Sequence, residues 1–548
     1  MKKMKYLAAA VICAAATFGI SAQYSRSNSA SRQQQKLLMV ENIVNNLYVD
    51  NVDEEKIVEN AVRGILENLD PHSSYSTKEE TTSSQETMQG SFSGIGIQFN
   101  MQKDTLYVVQ TIAGGPSEKV GILPGDRFIA VDDSIIAGRK LKNTDIMKRL
   151  RGPKGTKVNI KVKRGSNAEL LEFRITRDDI PLNSIDAVYM ADGKTGYIRL
   201  SRFAATSYKE FKDAITKLKK QGMQQLILDL TDNGGGYMQI AAQIANEMLN
   251  RGNLIVYTQG RKSPRQNLNA DGSGTFRTQK VVVMINQFSA SASEILSGAI
   301  QDWDRGVVVG RRSFGKGLVQ REFLLPDSSS FRLTIARYYT PSGRNIQKPY
   351  VKGDREDYDK DIIDRYNHGE LQSADSIHFA DSLKHTTLRL HRTVYGGGGI
   401  MPDVFVPLDT TQYTDYHRRL VAKGIIPQFA LRYVDKNRAD LKAQYPDAQK
   451  FIKEFTVTDE MLNNLVDAGK AEKVDFDKQQ FNQSKEMLRT FVKAAIANDL
   501  FSTGAYFQIV NEQNDIYKEA LSIINDDARY RKIISPRTEQ TPEKKKKK

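Results

Sequence analysis

Between Thr195 and Ile346 short apolar runs alternate with amphipathic stretches, and this alternation restricts the chain to one class of core. Gly196–Leu200, Leu226–Leu230, Val281–Ile285 and Gly306–Val309 read as buried strands, because apolar and β-branched residues follow one another without a polar face. Tyr208–Lys220 and Tyr237–Leu249 carry apolar residues at helical spacing and read as amphipathic helices. Strands and helices in alternation predict an α/β core.

The flanking segments have other patterns. With 548 residues and a prior of about 150 per domain, three to four domains are expected. Residues 23–89 form an N-terminal helical region. Its periodic positions are Leu37, Val40, Ile43 and Leu47, then Ile57, Ala61, Ile65 and Leu69. Asp70-Pro71 closes that stretch, and Ser73 to Thr87 reads as a Ser/Thr-rich linker. Residues 90–178 are rich in Gly and β-branched residues, with strands expected at Thr105–Thr111, Arg127–Val131 and Val158–Arg164 and a helix at Lys142–Leu150. Within the core region 179–410, residues 350–392 read as a polar insertion, and residues 411–535 as a long, charged helical region. No internal repeat is evident.

The two ends explain most of the charge. Lys plus Arg number 80 against 65 Asp plus Glu, a net +15. Such a balance raises nucleic acid or an anionic surface as a partner. Eight of those charges lie in Lys2, Lys3, Lys5 and the terminal run Lys544–Lys548, leaving +7 for residues 23–543. Residues 1–22 read as a signal peptide: a basic start, an apolar run from Tyr6 to Ile20 and small residues before Gln23. That run is shorter than the ~20 residues of a membrane span. The single cysteine, Cys13, falls inside it, so the exported chain would carry neither a disulfide framework nor a Cys-based zinc site. Residues 536–548 read as a solvated lysine-rich tail.

Three constellations could carry chemistry. Gly94-Ile95-Gly96-Ile97 can turn successive amides towards one point and hold a carboxylate. A strand edge beside it could accept a peptide by β-addition. Ser289-Ala290-Ser291-Ala292-Ser293-Glu294 lies between a strand and an apolar segment, where a hydroxyl can be presented beside unpaired helix amides. Ser291 and Glu294 equally fit a helix capping box, and a cap and a nucleophile compete for one oxygen. Gly310 to Gly317 matches seven positions of a phosphate-binding loop. Its eighth position is Gly317 rather than Ser or Thr, and a strand rather than a helix is expected at Leu318–Leu325. Lys316 can instead serve as a base if burial removes its proton. No histidine lies between residues 73 and 367, and four of the six (His368, His378, His385 and His391) fall in the polar insertion. A serine with a lysine base needs none.

With Gly115-Pro116 and Leu123-Pro124-Gly125-Asp126, residues 90–178 resemble a PDZ domain, a binder of C-terminal tails. The resemblance implies that the amides of Ile95, Gly96 and Ile97 hold the tail's carboxylate. The chain resembles the C-terminal processing peptidases, or tail-specific proteases, over most of residues 36–410, and less diagnostically over 411–535. The marks are Leu69-Asp70-Pro71-His72-Ser73, Leu228 to Gly236, Ser289 to Glu294, Phe314 through Gln320, Gly396 to Ile400 and Pro402-Asp403. This implies a nucleophile at Ser291, a general base at Lys316 assisted by Gln320, and an oxyanion hole from the amide of Ala292 with Gly236 or Gly235. Asp302 also matches a family position, where a structural role is expected. The chain departs from many relatives at Gly234, where Pro or Ser is usual, which would loosen the oxyanion turn.

The expectation is an α/β multidomain protein: an α/β peptidase core with an inserted PDZ-like β-rich domain and helical N- and C-terminal regions. It would be an exported, periplasmic serine endopeptidase acting on protein substrates with exposed C-terminal tails, using no cofactor or metal and binding no nucleic acid. Contact of the lysine tail with a membrane surface and a homodimer through the helical ends are left open. The rival is a non-catalytic tail-binding scaffold whose serine run only caps a helix.

Overall fold

The computed structural model describes residues 31–535 except 103, 113 and 166–168. The expected signal peptide and the lysine tail lie outside the described residues.

Two N-terminal helices, α1 (Arg32–Leu47) and α2 (Glu54–Glu67), precede a short strand, β1 (Ser74–Ser76), and helix α3 (Lys78–Gln89). The expected linker at 73–87 is therefore ordered structure. Its Ser and Thr residues have poor helix propensity, but Thr77 and Glu80 form a capping box that starts α3 (Thr77 N–H to Glu80 Oε2, 2.9 Å; Glu80 N–H to Thr77 Oγ1, 3.3 Å). No residue of α1 is buried, and its Leu37, Leu38, Met39, Val40 and Leu47 stand exposed.

The inserted domain is entered by β2 (Ser91–Gly94). It comprises β3 (Ile97–Gln102), β4 (Thr105–Thr111), α4 (Pro116–Lys119), β5 (Arg127–Val131), β6 (Ser134–Ile135), α5 (Asn143–Leu150), β7 (Lys157–Lys163) and β8 (Leu171–Thr176), and β9 (Asp178–Pro181) leaves it. β2 and β9 pair antiparallel, Ser91 opposite Pro181 and Gly94 opposite Asp178, so entry and exit form one two-stranded ribbon. The domain sheet has the order β3-β4-β5-β7-β8, which leaves β3 at an edge. Lys157–Lys163 alternates exposed and buried residues, the signature of a sheet with one face on a core.

The core sheet comprises β10 (Ile185–Met190), β11 (Thr195–Leu200), β12 (Gln225–Asp229), β15 (Val281–Ile285), β16 (Val307–Gly310) and β21 (Val404–Phe405), in the order β10-β11-β12-β15-β16-β21. β10 is antiparallel to β11, and the remaining pairs are parallel. Helices α6 (Ser207–Lys220), α7 (Met238–Asn246) and α8 (Ala292–Asp302) bury their apolar sides on one face. Every residue of β12 and β15 is buried, because both faces of the sheet are covered. A second, antiparallel sheet contains β13 (Leu254–Gln259), β14 (Gln266–Asn269), β17 (Leu318–Leu324) and β18 (Ser330–Tyr339), and it recruits β1 onto β18, Ser74 opposite Arg332.

The polar segment 350–392 contributes α9 (Arg355–Asn367) and β19 (Lys384–Thr386), which pairs with β20 (Thr393–Tyr395). It is not a detached insertion: Arg365 of α9 is buried against the carbonyls of Ser313 and Phe314. The C-terminal helices divide. Helices α10 (Asp415–Ala422), α11 (Ile425–Gln444), α12 (Ala448–Glu454), α13 (Asp459–Ala471), α14 (Lys478–Leu500) and α15 (Thr503–Val510) enclose their own apolar core. Helices α16 (Asp515–Asn525) and α17 (Asp527–Ile533) lay Ile516, Tyr517, Ile523 and Tyr530 on the other face of the core sheet. Among the described residues no helix is long and apolar enough to cross a membrane, and no group of three or more His, Cys, Asp or Glu could hold a metal ion.

Candidate active site

Ser291 stands at the turn from β15 into α8 with φ 56° and ψ −111°, a backbone conformation that a residue with a side chain rarely adopts. The turn is held by its neighbours. Ser289 Oγ donates to the Leu230 carbonyl (2.8 Å), and Ser293 Oγ donates to the Asn233 carbonyl (2.8 Å). Both flanking hydroxyls are thus spent on backbone. The capping box of Ser291 and Glu294 is present, but its firm arm is the Ser291 amide donating to Glu294 Oε2 at 2.8 Å. The other arm, the Ser291 hydroxyl facing the Glu294 amide, is loose, because that amide's hydrogen bond goes to the Ser291 carbonyl at 2.9 Å. The carboxylate and the backbone do most of the capping, and the Ser291 hydroxyl donates no hydrogen bond among the described residues.

Opposite lies the turn Asp232–Gly236. Asn233 braces it from both sides: Nδ2 donates to the Leu200 carbonyl (2.8 Å), Oδ1 accepts the Gly235 amide (2.9 Å), and its own carbonyl accepts the Ala290 amide (3.0 Å). Gly235 (φ 106°) passes so close to the serine turn that a Cβ there would lie 2.8 Å from the Ser291 Cβ. The amides of Ala292 and Gly236 make no hydrogen bond among the described residues, whereas the Gly235 amide is committed to Asn233. Of the two glycines expected as oxyanion donors, only Gly236 therefore has a free N–H. A Cβ added at Gly234 would meet nothing within 4 Å, and the braces at 233 and 235 hold the turn without help from that residue.

Glu294 joins the serine turn to the lysine loop. Fully buried, its carboxylate accepts Ser313 Oγ (2.6 Å) and the amides of Gly315 (2.7 Å) and Lys316 (2.9 Å) besides that of Ser291. Burial pushes its pKa up to about 7 against these bonds. The Tyr338 hydroxyl donates to the carbonyls of Ser291 (3.1 Å) and Lys316. The segment Gly310–Gly317 runs directly into strand β17, without the helix a phosphate loop requires.

Ser291, Lys316, Gln320 and Gly234–Gly236 line one cleft of about 490 Å³. Burial depresses the Lys316 ammonium, the charge of Arg332 adds to the effect, and Glu294 and Asp70 oppose it. No hydrogen bond joins Ser291 Oγ to Lys316 Nζ in this conformation. Catalytic contacts are often long before substrate binds. Gln320 donates to Thr334 Oγ1 (3.1 Å) rather than contacting Lys316. Thr334 Oγ1 in turn donates to Asp70 (2.9 Å).

Sequence reasoning missed His72. Because β1 is stitched onto β18, the Asp70–Ser73 turn comes to the lysine side of the cleft. His72 Nε2 pairs with Tyr358 Oη at 2.9 Å. Its pKa falls to about 3, through burial first and the charge of Lys316 second. The distance along the chain from His72 to Lys316 hid this proximity, and only the Leu69–Ser73 motif signalled it.

Asp302 is buried in an ion pair with Arg344 and accepts the Ser342 amide at 2.9 Å, away from the cleft. In the inserted domain, the Ile95 carbonyl accepts the Ser117 amide (2.9 Å) and hydroxyl (2.7 Å), and the Gly96 carbonyl accepts the Ile112 amide (3.0 Å). The amides of Ile95 and Gly96 make no hydrogen bond among the described residues, and Ile97 opens the edge strand β3.

Residues 194–357 match peptidase family S41, 93–175 a PDZ domain, 3–81 the N-terminal domain of the activating protease CtpB, and 416–502 a family of unknown function. The carboxy-terminal-processing protease of Bartonella bacilliformis is 34% identical over 355 residues, 63% of this chain and 80% of that protein. The carboxyl-terminal-processing protease of Synechocystis sp. is 37% identical over 295 residues, 53% of this chain and 68% of that protein. Among solved structures, the photosystem II D1 C-terminal processing protease is 28% identical, covering 59% of this chain and 93% of its own, with a TM-score of 0.33.

Proposed function

The chain belongs to the C-terminal processing peptidases, and from that membership we propose that it is an exported serine endopeptidase that captures C-terminal tails on its PDZ domain and cleaves them with a Ser291–Lys316 dyad. The observation that carries the dyad is the contrast among the three serines. Ser289 and Ser293 spend their hydroxyls on carbonyls, while that of Ser291 is unspent and shares a cleft with a buried lysine.

In this reading neutral Lys316 takes the proton of Ser291 Oγ as that oxygen bonds to the carbonyl carbon of the substrate. The amides of Ala292 and Gly236 receive the developing oxyanion. The lysine's ammonium returns the proton to the departing amine, leaving an acyl-enzyme, and water activated by the lysine releases the acid. Gln320 lies on the same wall and positions substrate or lysine from its anchor on Thr334. The free amides of Ile95 and Gly96 and the open edge of β3 support tail capture, carboxylate at the loop and backbone along the strand.

The signal-like residues 1–22 support export to the periplasm. The exposed apolar positions of α1 support a homodimer through that helix, and Lys544–Lys548 support contact with an anionic membrane surface. The test is a serine-directed acylating probe on the purified protein. Labelling at Ser291 that is lost in Ser291→Ala is expected. Tail binding without labelling would favour the non-catalytic scaffold.

A further inference from the structure

The carboxyl ends of β12, β15, β16 and β21 open onto a second cavity, about 440 Å³, which α14 and α16 close from outside. The chemistry above makes no use of it. Arg311, one residue beyond β16, lines this cavity and is only 8% exposed. Its Nε donates to Gln287 Oε1 at 3.0 Å and its Nη1 reaches the Val406 carbonyl only at 3.5 Å. Nη2 has no hydrogen bond, and the guanidinium forms no ion pair among the described residues. Its remaining N–H groups open onto the cavity, where an acceptor can reach them.

The nearby carboxylates do not complete it. Asp232 is held by Arg199 (3.2 Å) and Asn286 (2.7 Å), Asp409 by its own turn at Thr411 (2.7 Å), and Asp515 faces Lys518 at 3.7 Å. With Asp232, Asp409 and Asp515 on the wall beside one arginine, repulsion disfavours a phosphate or polyanion more than a single carboxylate. Phe288, Tyr413, Met487, Phe491 and Ile516 supply an apolar patch, and Asn286, Gln287, Thr490, Gln513 and Asn514 make the rest of the wall polar. A crevice outside the carboxyl ends of parallel strands is where open α/β sheets bind ligands, and its volume suits a small one.

We propose that this cavity binds a monoanionic carboxylate with an apolar body on Arg311, either the C-terminal end of a short peptide or a small aliphatic acid. The site stands apart from the peptidase cleft and does not depend on the peptidase reading. It lies behind the two turns of the first cleft, because Thr231 and Asp232 lead into the Asn233–Gly236 turn and Asn286–Phe288 lead into Ser289–Ser291.

Met487 lines the cavity and supplies a reporter. In full-length Ser291→Ala protein carrying 13C-methyl methionine, the Met487 resonance is assigned by Met487→Leu. The protein is then titrated with the dipeptide Ala-Leu, its C-terminal amide and hexanoate. The expected result is a saturable Met487 shift with Ala-Leu, at least about tenfold weaker with the amide and in Arg311→Leu. Hexanoate matching Ala-Leu identifies the small acid as the source, and hexanoate binding more weakly identifies the peptide end. No saturable shift with either acid, or equal responses to acid and amide, overturns the site. If Arg311→Leu does not fold, the acid–amide comparison in the parent protein decides.

Discussion

Gly235 and Ser291 pack so closely that a single added methyl group on the glycine would lie 2.8 Å from the serine's Cβ and 2.9 Å from the Ala290 carbonyl. Neither side can yield easily, since Asn233 holds the glycine turn and Glu294 the serine turn. Gly235→Ala also demands φ 106° of a residue with a side chain. Hydrolysis of an unstructured protein substrate should fall by about a hundredfold, the scale of a misplaced reacting group, while far-ultraviolet circular dichroism remains that of the folded chain.

Ser291→Ala and Lys316→Ala should each lower kcat by about a thousandfold or more. Lys316→Arg should do the same, because arginine does not release its proton. Ser289→Ala and Ser293→Ala should keep turnover and instead cost about 1 kcal/mol of stability each for the lost hydroxyl bond. Activity that survives in Ser291→Ala and vanishes in Ser289→Ala would transfer the nucleophile's role.

The rate should also report Lys316 through pH. Its ammonium titrates below the usual lysine value because it is buried. The active form is the neutral amine, so kcat/KM should rise with pH and level off below the ordinary lysine range. A limb at about 10.4, the value of an exposed lysine, would show that burial does not tune the base.

His72 should make folding sensitive to acid. Its folded pKa lies near 3 against 6.5 for the free side chain. Between those values the unfolded chain binds a proton that the folded chain refuses, so stability is lost as pH falls from 6.5 towards 3. His72→Gln should flatten that part of a Tm-against-pH curve between about pH 7 and 4, leaving the decline due to carboxylates.

Tail capture should separate from chemistry. A Cβ on Gly96 would meet Ile180 Cδ1 at 2.9 Å, and φ there is 75°. Gly96→Val should therefore distort the carboxylate loop. It should raise KM for a protein tail about tenfold or more, while a short blocked peptide that reaches Ser291 unaided is cleaved at an unchanged rate. Equal losses on both substrates would deny the loop a selective role.

Much of this architecture is legible along the chain. Thr105–Thr111, Arg127–Val131 and Val281–Ile285 are strands over the expected residues, since apolar alternation and apolar runs are local properties. The segment 73–87 is not legible, because Ser and Thr composition outweighs the one capping pair that starts α3. The polar segment 350–392 reads as peripheral because it is charged. Yet its Arg365 donates to the carbonyls of Ser313 and Phe314 in the loop that carries Lys316, a role that charge composition cannot reveal.

By itself the sequence determines the α/β class of the core, the inserted β-rich domain and the two segments, Ser289–Glu294 and Phe314–Gln320, on which the chemistry would rest. Periodicity and motif spacing are short-range properties, so they survive in one dimension. Tertiary structure alone decides which oxygen and which amide are free. Carbonyls some sixty residues away accept the hydroxyls of Ser289 and Ser293 and none accepts that of Ser291, and the Gly235 amide is taken by Asn233 while that of Gly236 is not. The same long-range closure brings His72 to Lys316 and leaves Arg311 facing a cavity, because each contact joins elements whose meeting is set by how the sheets pair.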